Sequence, residues 1–359
     1  MDNNNNKIKI NMLSMADSVD GQGVGSAYLE LMKLLNEDGK NDFEIFLNKG
    51  TKYDVIHAHT VEPRNYLKLK FSKNPTVAYV HFLPDTLDGS IKLPKPIFKI
   101  FKKYVISFYK SADYLVVVNP IFKKDIAKAG IKEDKITYIP NFVSKEMFYK
   151  KTDKEIKDIR KKLGIKENKF VVLGAGQIQN RKGVIDFVEV AKKLPKIDFI
   201  WAGGFSFGGI TDGHHDLKKI MENPPKNVRF LGIVPRNEMN DLFNASDLLF
   251  VPSYNELFPM TILEAISTDT PILLRDLELY EDILFKKYLK GSNNDEFSEI
   301  IKLLSKDKKE YQKQVENAKE ISKFYSKEHV YKMWKEFYTE IAKKKKNQSS
   351  CYSDFILHI

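Results

Sequence analysis

The sequence predicts an α/β protein with two successive parallel-sheet domains, and three observations carry that prediction. Short apolar runs alternate with helix-patterned segments along the chain, the mark of βαβ units. The chain has 359 residues, room for about two domains of ordinary size. Hydrophobic residues make up 42 %, enough to give each domain a core.

Ile8–Leu13 reads as the first strand. A glycine loop follows, then a helix with Tyr28, Leu31, Met32 and Leu35 on one face. Further strands are expected at 43–47, 55–57, 77–81, 114–118 and 136–139. Pro140, Asn141 and the charged stretch 145–162 read as a connection, which places one domain at 1–144 and the next at 145–325. In the second, strands are expected at 170–174, 198–202, 228–230, 248–251 and 271–274, with a helix at 184–193 among those between them. Residues 310–346 are helical in pattern, with Val330, Met333, Trp334, Phe337 and Ile341 at steps of three and four. Residues 347–359 show no element and read as a tail. Two such domains imply a cleft, with ligands at the carboxyl ends of the strands.

The net charge is +11. It favours anionic partners (phosphate-bearing substrates, nucleic acid or an acidic membrane), although a solvated lysine-rich surface gives the same balance. Cys351 is the only cysteine, so no intrachain disulfide forms. Met1 leads into the run Asn3 to Asn6 rather than a charged start and an apolar core, so no secretory signal is expected. No run approaches the ~18 apolar residues of a spanning helix, so any membrane contact is expected to be peripheral.

The most informative segment is Pro252-Ser253-Tyr254-Asn255-Glu256-Leu257-Phe258-Pro259-Met260-Thr261-Ile262-Leu263-Glu264-Ala265. It follows an apolar strand, and Pro259 suits a first helical turn, where its missing N–H leaves nothing unpaired. Glu256 then lies on the loop before the helix and Glu264 about one and a half turns inside it. Backbone N–H groups at a helix start hold a phosphate, and two carboxylates accept hydrogen bonds from sugar and ribose hydroxyls. The same spacing also arises where the first acid caps a helix and the second is solvated.

In this context Glu256 and Glu264 resemble the E-x7-E motif of retaining GT-B glycosyltransferases of glycosyltransferase family 4. The resemblance spans nearly the whole chain. Ile139-Pro140-Asn141 is similar to the family's domain-crossing segment. Gly176 with Arg181-Lys182-Gly183 is similar to its phosphate-clamping loop. Ala245-Ser246-Asp247 running into Pro252-Ser253 is similar to the strand before the motif. Asn255-Glu256-Leu257-Phe258-Pro259-Met260, Trp201-Ala202-Gly203-Gly204-Phe205 and Gly21-Gln22-Gly23-Val24-Gly25 resemble, more narrowly, bacterial enzymes that build diglycosyl-diacylglycerols. Four positions depart from the family. Leu257 and Pro259 stand where glycines are usual, Gln177 where an arginine is frequent, and Asp269 where a glycine is common.

The resemblance implies a GT-B fold, two Rossmann-like domains facing across a cleft, with a helix at 326–346 crossing back to the first. It implies a donor site of Gly23, Gly176, Arg181, Lys182, Glu256, Leu257, Phe258, Pro259, Met260 and Glu264. The catalytic set would be His81, Arg181, Lys182 and Glu256. Arg181 and Lys182 precede a helix start, where fixed cations stabilise charge on a departing diphosphate by ~3 kcal/mol for a single donor group. With Gln177 in place of arginine, that duty falls on these two. A solvated basic turn has the same local sequence. His81 ends a strand, where a lone histidine also serves structure, and His57 and His59 read as packing and loop residues. His214 and His215 have no ligand-spaced partners for a metal. The glycines at 21, 23 and 25 miss the dinucleotide fingerprint, since Ser26 takes its last position.

The stretch 91–110, IKLPKPIFKIFKKYVISFYK, interleaves lysines with aromatics and has no acid. A basic amphipathic helix of this kind suits an anionic bilayer, and the expected contacts are Lys92, Lys95, Phe98, Lys99, Phe101, Lys102, Lys103 and Phe108. An ordinary helix with its apolar side on the core is the competing reading. Together these features predict a retaining hexosyltransferase, peripheral on the cytoplasmic face of the cell membrane. It would move glucose or galactose from a UDP-sugar to monoglucosyl-diacylglycerol, with no metal or other cofactor. The alternative within the family is a transferase of capsule, teichoic acid or other surface polysaccharide. A nucleotide-cofactor oxidoreductase is opposed by the imperfect glycine fingerprint. A nucleic-acid partner is not expected, because the basic residues fit no recognised binding module.

Overall fold

The computed structural model describes residues 7–14, 23–50, 52–84, 94–205, 214–256 and 259–356. The chain divides into two compact units. The first is drawn from Met1–Asp85, Lys95–Phe142 and Lys327–Ile359, and the second is chiefly Val143–Ser326. Each is an α/β unit built on one six-stranded parallel sheet.

The first sheet holds β1 (Ile8–Leu13), β2 (Phe43–Leu47), β3 (Val55–Ala58), β4 (Thr76–Val80), β5 (Tyr114–Val117) and β6 (Ile136–Tyr138), in the order β2-β1-β3-β4-β5-β6. Its helices are α1 (Gly23–Lys33), α2 (Pro63–Phe71), α3 (Lys95–Lys110) and α4 (Phe122–Lys128). The second sheet holds β7 (Val171–Ala175), β8 (Asp198–Ala202), β9 (Val228–Phe230), β10 (Leu248–Val251), β11 (Ile272–Arg275) and β12 (Leu289–Gly291). Its helices are α5 (Asp153–Lys162), α6 (Val184–Lys193), α7 (His214–Glu222), α8 (Arg236–Ala245), α9 (Met260–Ser267), α10 (Asn294–Leu304) and α11 (Lys308–Phe324), and α12 (Lys327–Ile356) ends the chain's helices. Every residue of β3, β4, β7, β10 and β11 is buried, as in parallel strands covered by helices on both faces.

The second sheet runs β12-β11-β10-β7-β8-β9. This is the doubly wound order, and its strand direction of travel reverses between β7 and β10, where such sheets bind ligands. Strand β12 has no sequence signature, because it is three residues long and carries Lys290 in its middle.

Two expectations change. The charged stretch read as a connection contains α5, started by a capping box between Thr152 and Glu155. Helical backbone runs on to Ile356 where a tail was expected. The helical stretch 310–346 is divided at Tyr325 and Ser326 into α11 in the second unit and α12 in the first. Helix α12 lies on β1 and β3, burying Val330, Trp334, Phe337, Tyr338 and Ile341. Lys327 pairs with Asp38 at 3.0 Å, and Lys335 with Asp42 at 2.9 Å. Trp334 is 1 % exposed and stacks on Tyr338, with ring centroids 5.3 Å apart. Trp334→Ala is expected to destabilise the protein by ~3–5 kcal/mol, read from guanidinium unfolding.

Candidate active site

The loop after β7 is shaped by close backbone approach. Gly176 has φ +137° and donates its N–H to the Ala202 carbonyl at 2.9 Å. Gly203, at φ +144°, faces it so closely that a Cβ there would stand 1.8 Å from the Gly176 carbonyl oxygen. Trp201 Nε1 donates to that same oxygen at 3.0 Å. The loop closes in a tight turn, Asn180–Lys182. Gly183 follows in the left-handed region (φ +69°), where a Cβ would meet the Pro252 carbonyl oxygen at 2.4 Å. Helix α6 starts next, so Arg181 and Lys182 are held just ahead of it.

The segment after β10 packs on this turn. Tyr254 N–H donates to the Arg181 carbonyl at 2.8 Å, and Arg181 Nη1 donates to the Asn255 carbonyl at 3.2 Å. Lys182 Nζ donates to Glu256 Oε1, while Arg181 Nη1 lies 3.9 Å from Glu256 Oε2. Glu256 is 7 % exposed. Burial acts to raise its pKa, but Lys182 and Arg181, with hydrogen bonds from Lys182 and Ser253, hold it below the usual carboxylate range. It is not a helix cap: α9 starts after Pro259, with no side chain capping it. Glu264, the fifth residue of α9, is buried too and lies 3.8 Å from Arg236 Nε. Neither acid is therefore a solvated surface group, and the basic turn is not freely solvated either, since the Lys182 side chain lies against Glu256 and is 14 % exposed.

Met260 opens α9 and is buried; Gly23 opens α1; Leu257 and Phe258 lie outside the described residues. Gln177 accepts a hydrogen bond from Gln179 Nε2 at 2.9 Å. Asp269 follows α9 with φ +61°, which accounts for the glycine usual there: the chain turns left-handed, and Asp tolerates that at some strain. Arg236 and Arg275 were not anticipated, because each is placed by tertiary packing and belongs to no local pattern; Ser253 lies in the quoted segment, but its hydrogen bond to Glu256 was not anticipated.

In the first unit, His81 follows β4 and is buried with His57 and His59. His59 Nδ1 lies 3.3 Å from His81 Nε2, and His57 Nδ1 lies 2.6 Å from the Tyr338 hydroxyl of α12. Tyr79 packs edge-on to His81, at 4.2 Å between centroids, and donates to Asn141 Oδ1 at 3.1 Å. Burial pulls the pKa values of His57 and His81 down to about 3. His59 is lowered by burial and by its two neighbours. His214 and His215 open α7, and among the described residues no three His, Cys, Asp or Glu side chains converge as metal ligands.

Helix α3 splits the expected membrane contacts. Lys99 and Lys103 are exposed, Phe98, Phe101 and Lys102 are half-buried, and the Lys102 ammonium lies 4.9 Å from the Phe98 ring centroid. Lys95 opens the helix, and Lys92 lies outside the described residues. Phe108 is 1 % exposed, so it belongs to the core and not to an outer face, as do Val105 and Tyr109. The exposed apolar side chains are instead Ile97 and Ile100, with Leu67 and Phe71 on α2. The two helices touch, Tyr66 Oη lying 3.1 Å from Ser107 Oγ. Among the described residues no helix is long and apolar enough to cross a membrane.

Residues 155–321 match the family model of glycosyl transferases group 1, and residues 40–146 that of glycosyltransferase family 4. The chain is 48 % identical to the alpha-galactosylglucosyldiacylglycerol synthase of Streptococcus pneumoniae, across 94 % of this chain and 90 % of that one. It is 29 % identical to the processive diacylglycerol alpha-glucosyltransferase of Acholeplasma laidlawii, across 90 % and 95 %. Among solved structures it is similar to Anabaena HepE in complex with UDP and glucose, with a TM-score of 0.71 and 17 % identity over 92 % of this chain and 99 % of that one. WaaG, a glycosyltransferase involved in lipopolysaccharide biosynthesis, gives 0.66 and 14 % over 92 % and 99 %. These two likenesses establish the GT-B fold.

The histidine cluster sets a pH dependence of stability. Above about pH 6.5 the rings are neutral in folded and unfolded chains alike. Below it the unfolded chain takes up protons that the folded rings refuse until about pH 3. Stability is therefore expected to fall as pH drops through that window, by up to ~1.4 kcal/mol per pH unit for each ring. Urea midpoints compared between pH ~7 and ~5 check the sign, and His59→Gln is expected to flatten the slope.

Proposed function

The chain belongs to glycosyltransferase family 4 and is a hexosyltransferase, and on that premise we propose that it moves glucose or galactose from a UDP-sugar to monoglucosyl-diacylglycerol with retention at the anomeric carbon. The observation that carries this reading is the ion pair of Lys182 with the buried Glu256, with Arg181 beside it, where the loops after β7 and β10 meet. That is the ligand position of a doubly wound sheet. A diphosphate arriving there draws Lys182 and Arg181 to its oxygens and leaves the Glu256 carboxylate to accept a sugar hydroxyl. The acceptor hydroxyl oxygen then bonds to the anomeric carbon on the face the diphosphate leaves. The bond from that carbon to the diphosphate breaks, and the hydroxyl proton passes to the departing phosphate oxygen. Arg181 and Lys182 hold the growing negative charge, and no metal is needed in this scheme. The family resemblance gives His81, in the first unit, a role near the donor sugar and the reacting hydroxyl. The lipid part of the reading is supported by what the Streptococcus pneumoniae and Acholeplasma laidlawii relatives are named for.

The acceptor lies in a bilayer, so the enzyme must reach one. We assign that contact to the α2–α3 face, on the cytoplasmic side of the membrane. Ile97, Ile100, Leu67 and Phe71 supply apolar area, and Lys68, Lys70, Lys99 and Lys103 surround it. Each such lysine near an anionic surface contributes ~1 kcal/mol.

Radiolabelled UDP-galactose or UDP-glucose with mixed lipid acceptors is expected to give labelled diglycosyl-diacylglycerol, and Glu256→Ala is expected to lower the rate by ~100-fold or more. Full activity in that variant refutes the site. In flotation, Ile97→Asp with Ile100→Asp is expected to release the protein from anionic vesicles. Failure of the parent protein to float with them points to a soluble acceptor instead.

A further inference from the structure

One guanidinium on β11 reaches both segments that carry the proposed donor-binding groups. Arg275 closes β11 and is 8 % exposed. Its Nε donates to the Pro252 carbonyl at 2.8 Å, its Nη1 to the Ser292 carbonyl at 3.1 Å, and its Nη2 to Asp186 Oδ2 at 3.0 Å. Its Cζ lies 3.9 Å from the centroid of the Tyr254 ring. Tyr254 also hydrogen-bonds Asp186, so carboxylate, phenol and guanidinium form one closed set.

The attachment points are specific. Asp186 is in the first turn of α6, directly after the Arg181–Lys182 turn and Gly183. Pro252 and Tyr254 lie just ahead of Glu256. The Pro252 carbonyl that Arg275 holds is the one against which Gly183 packs too closely for a Cβ. That hydrogen bond ties the Pro252–Glu256 segment, through Arg275 and Asp186, to the start of α6, beside the direct bond from Tyr254 N–H to the Arg181 carbonyl. A carboxylate alone neutralises the arginine's charge. The two carbonyl bonds and the ring contact add direction, which a planar fork supplies and an ammonium does not.

We propose that Arg275 is a positioning residue of the transferase. It sets the spacing between the Glu256 carboxylate and the Arg181–Lys182 turn, acting through Pro252, Tyr254 and Asp186. This rests on the donor-site reading above. In a positioned site a shift of about 1 Å costs ~100-fold, so partial loss of this brace is read as a change in rate.

The test uses the full chain with lipid acceptor in vesicles, at a temperature where each variant is folded. Arg275→Met is expected to lower kcat/KM for the UDP-sugar by ~10-fold or more, with KM for the lipid unchanged. Arg275→Lys is expected to fall between it and the parent, since it keeps the charge toward Asp186 but not both carbonyl bonds. Should Arg275→Met not fold, Arg275→Lys and Asp186→Asn decide the matter by the same donor-against-acceptor comparison. Unchanged donor kcat/KM per folded molecule, with only the melting temperature lowered, makes Arg275 a structural ion pair and overturns the proposal. UDP binding by calorimetry separates the two readings. A parent chain that binds no UDP sinks the donor site and this proposal together, whereas a parent that binds UDP beside unaffected variants sinks the positioning role alone.

Discussion

A lysine and a glutamate taken out of water together are tolerable only while each has the other. Removing the partner of such a pair leaves an uncompensated buried charge, at a cost of several kcal/mol, whereas the intact pair adds little net stability over apolar side chains. Lys182 and Glu256 stand in that relation, on two loops 74 residues apart in sequence. The second unit is arranged so that those loops meet. Adjacent strands β7 and β10 deliver them to the same edge, and Gly183 lets the backbone at Pro252 come within contact. Glycines at 176 and 203 bring the neighbouring loops together in the same way. Under the proposed function, an arriving diphosphate takes over the role that Glu256 plays for Lys182.

The first unit solves a different problem. Three histidines lie in its interior, where a charged imidazolium is costly, and Tyr79, Tyr338 and Trp334 enclose them. Helix α12 provides two of those rings, so the last helix of the chain closes a core begun by its earliest strands. Lys327, Lys335 and Tyr331 fasten the helix from outside, to Asp38 and Asp42. His81 is thus held by a packed aromatic wall and by His59. The α2–α3 face has the opposite character, with the apolar side chains Leu67, Phe71, Ile97 and Ile100 turned outward.

The sequence by itself determined the repeated β–α pattern, eleven of the twelve described strands to within one residue at each bound, and the loops on which Arg181, Lys182 and Glu256 would lie. Periodicity and turn chemistry are local, and these features follow from them. Only the tertiary structure decided which charges meet. Arg275 and Arg236 have no pattern around them, since their partners come from other strands and helices. The same holds for Phe108: amphipathic spacing marks two faces on α3, but which one turns inward depends on the sheet beneath it and on α2 beside it. A period along a helix names a face; burial of that face is settled by neighbours distant in the chain.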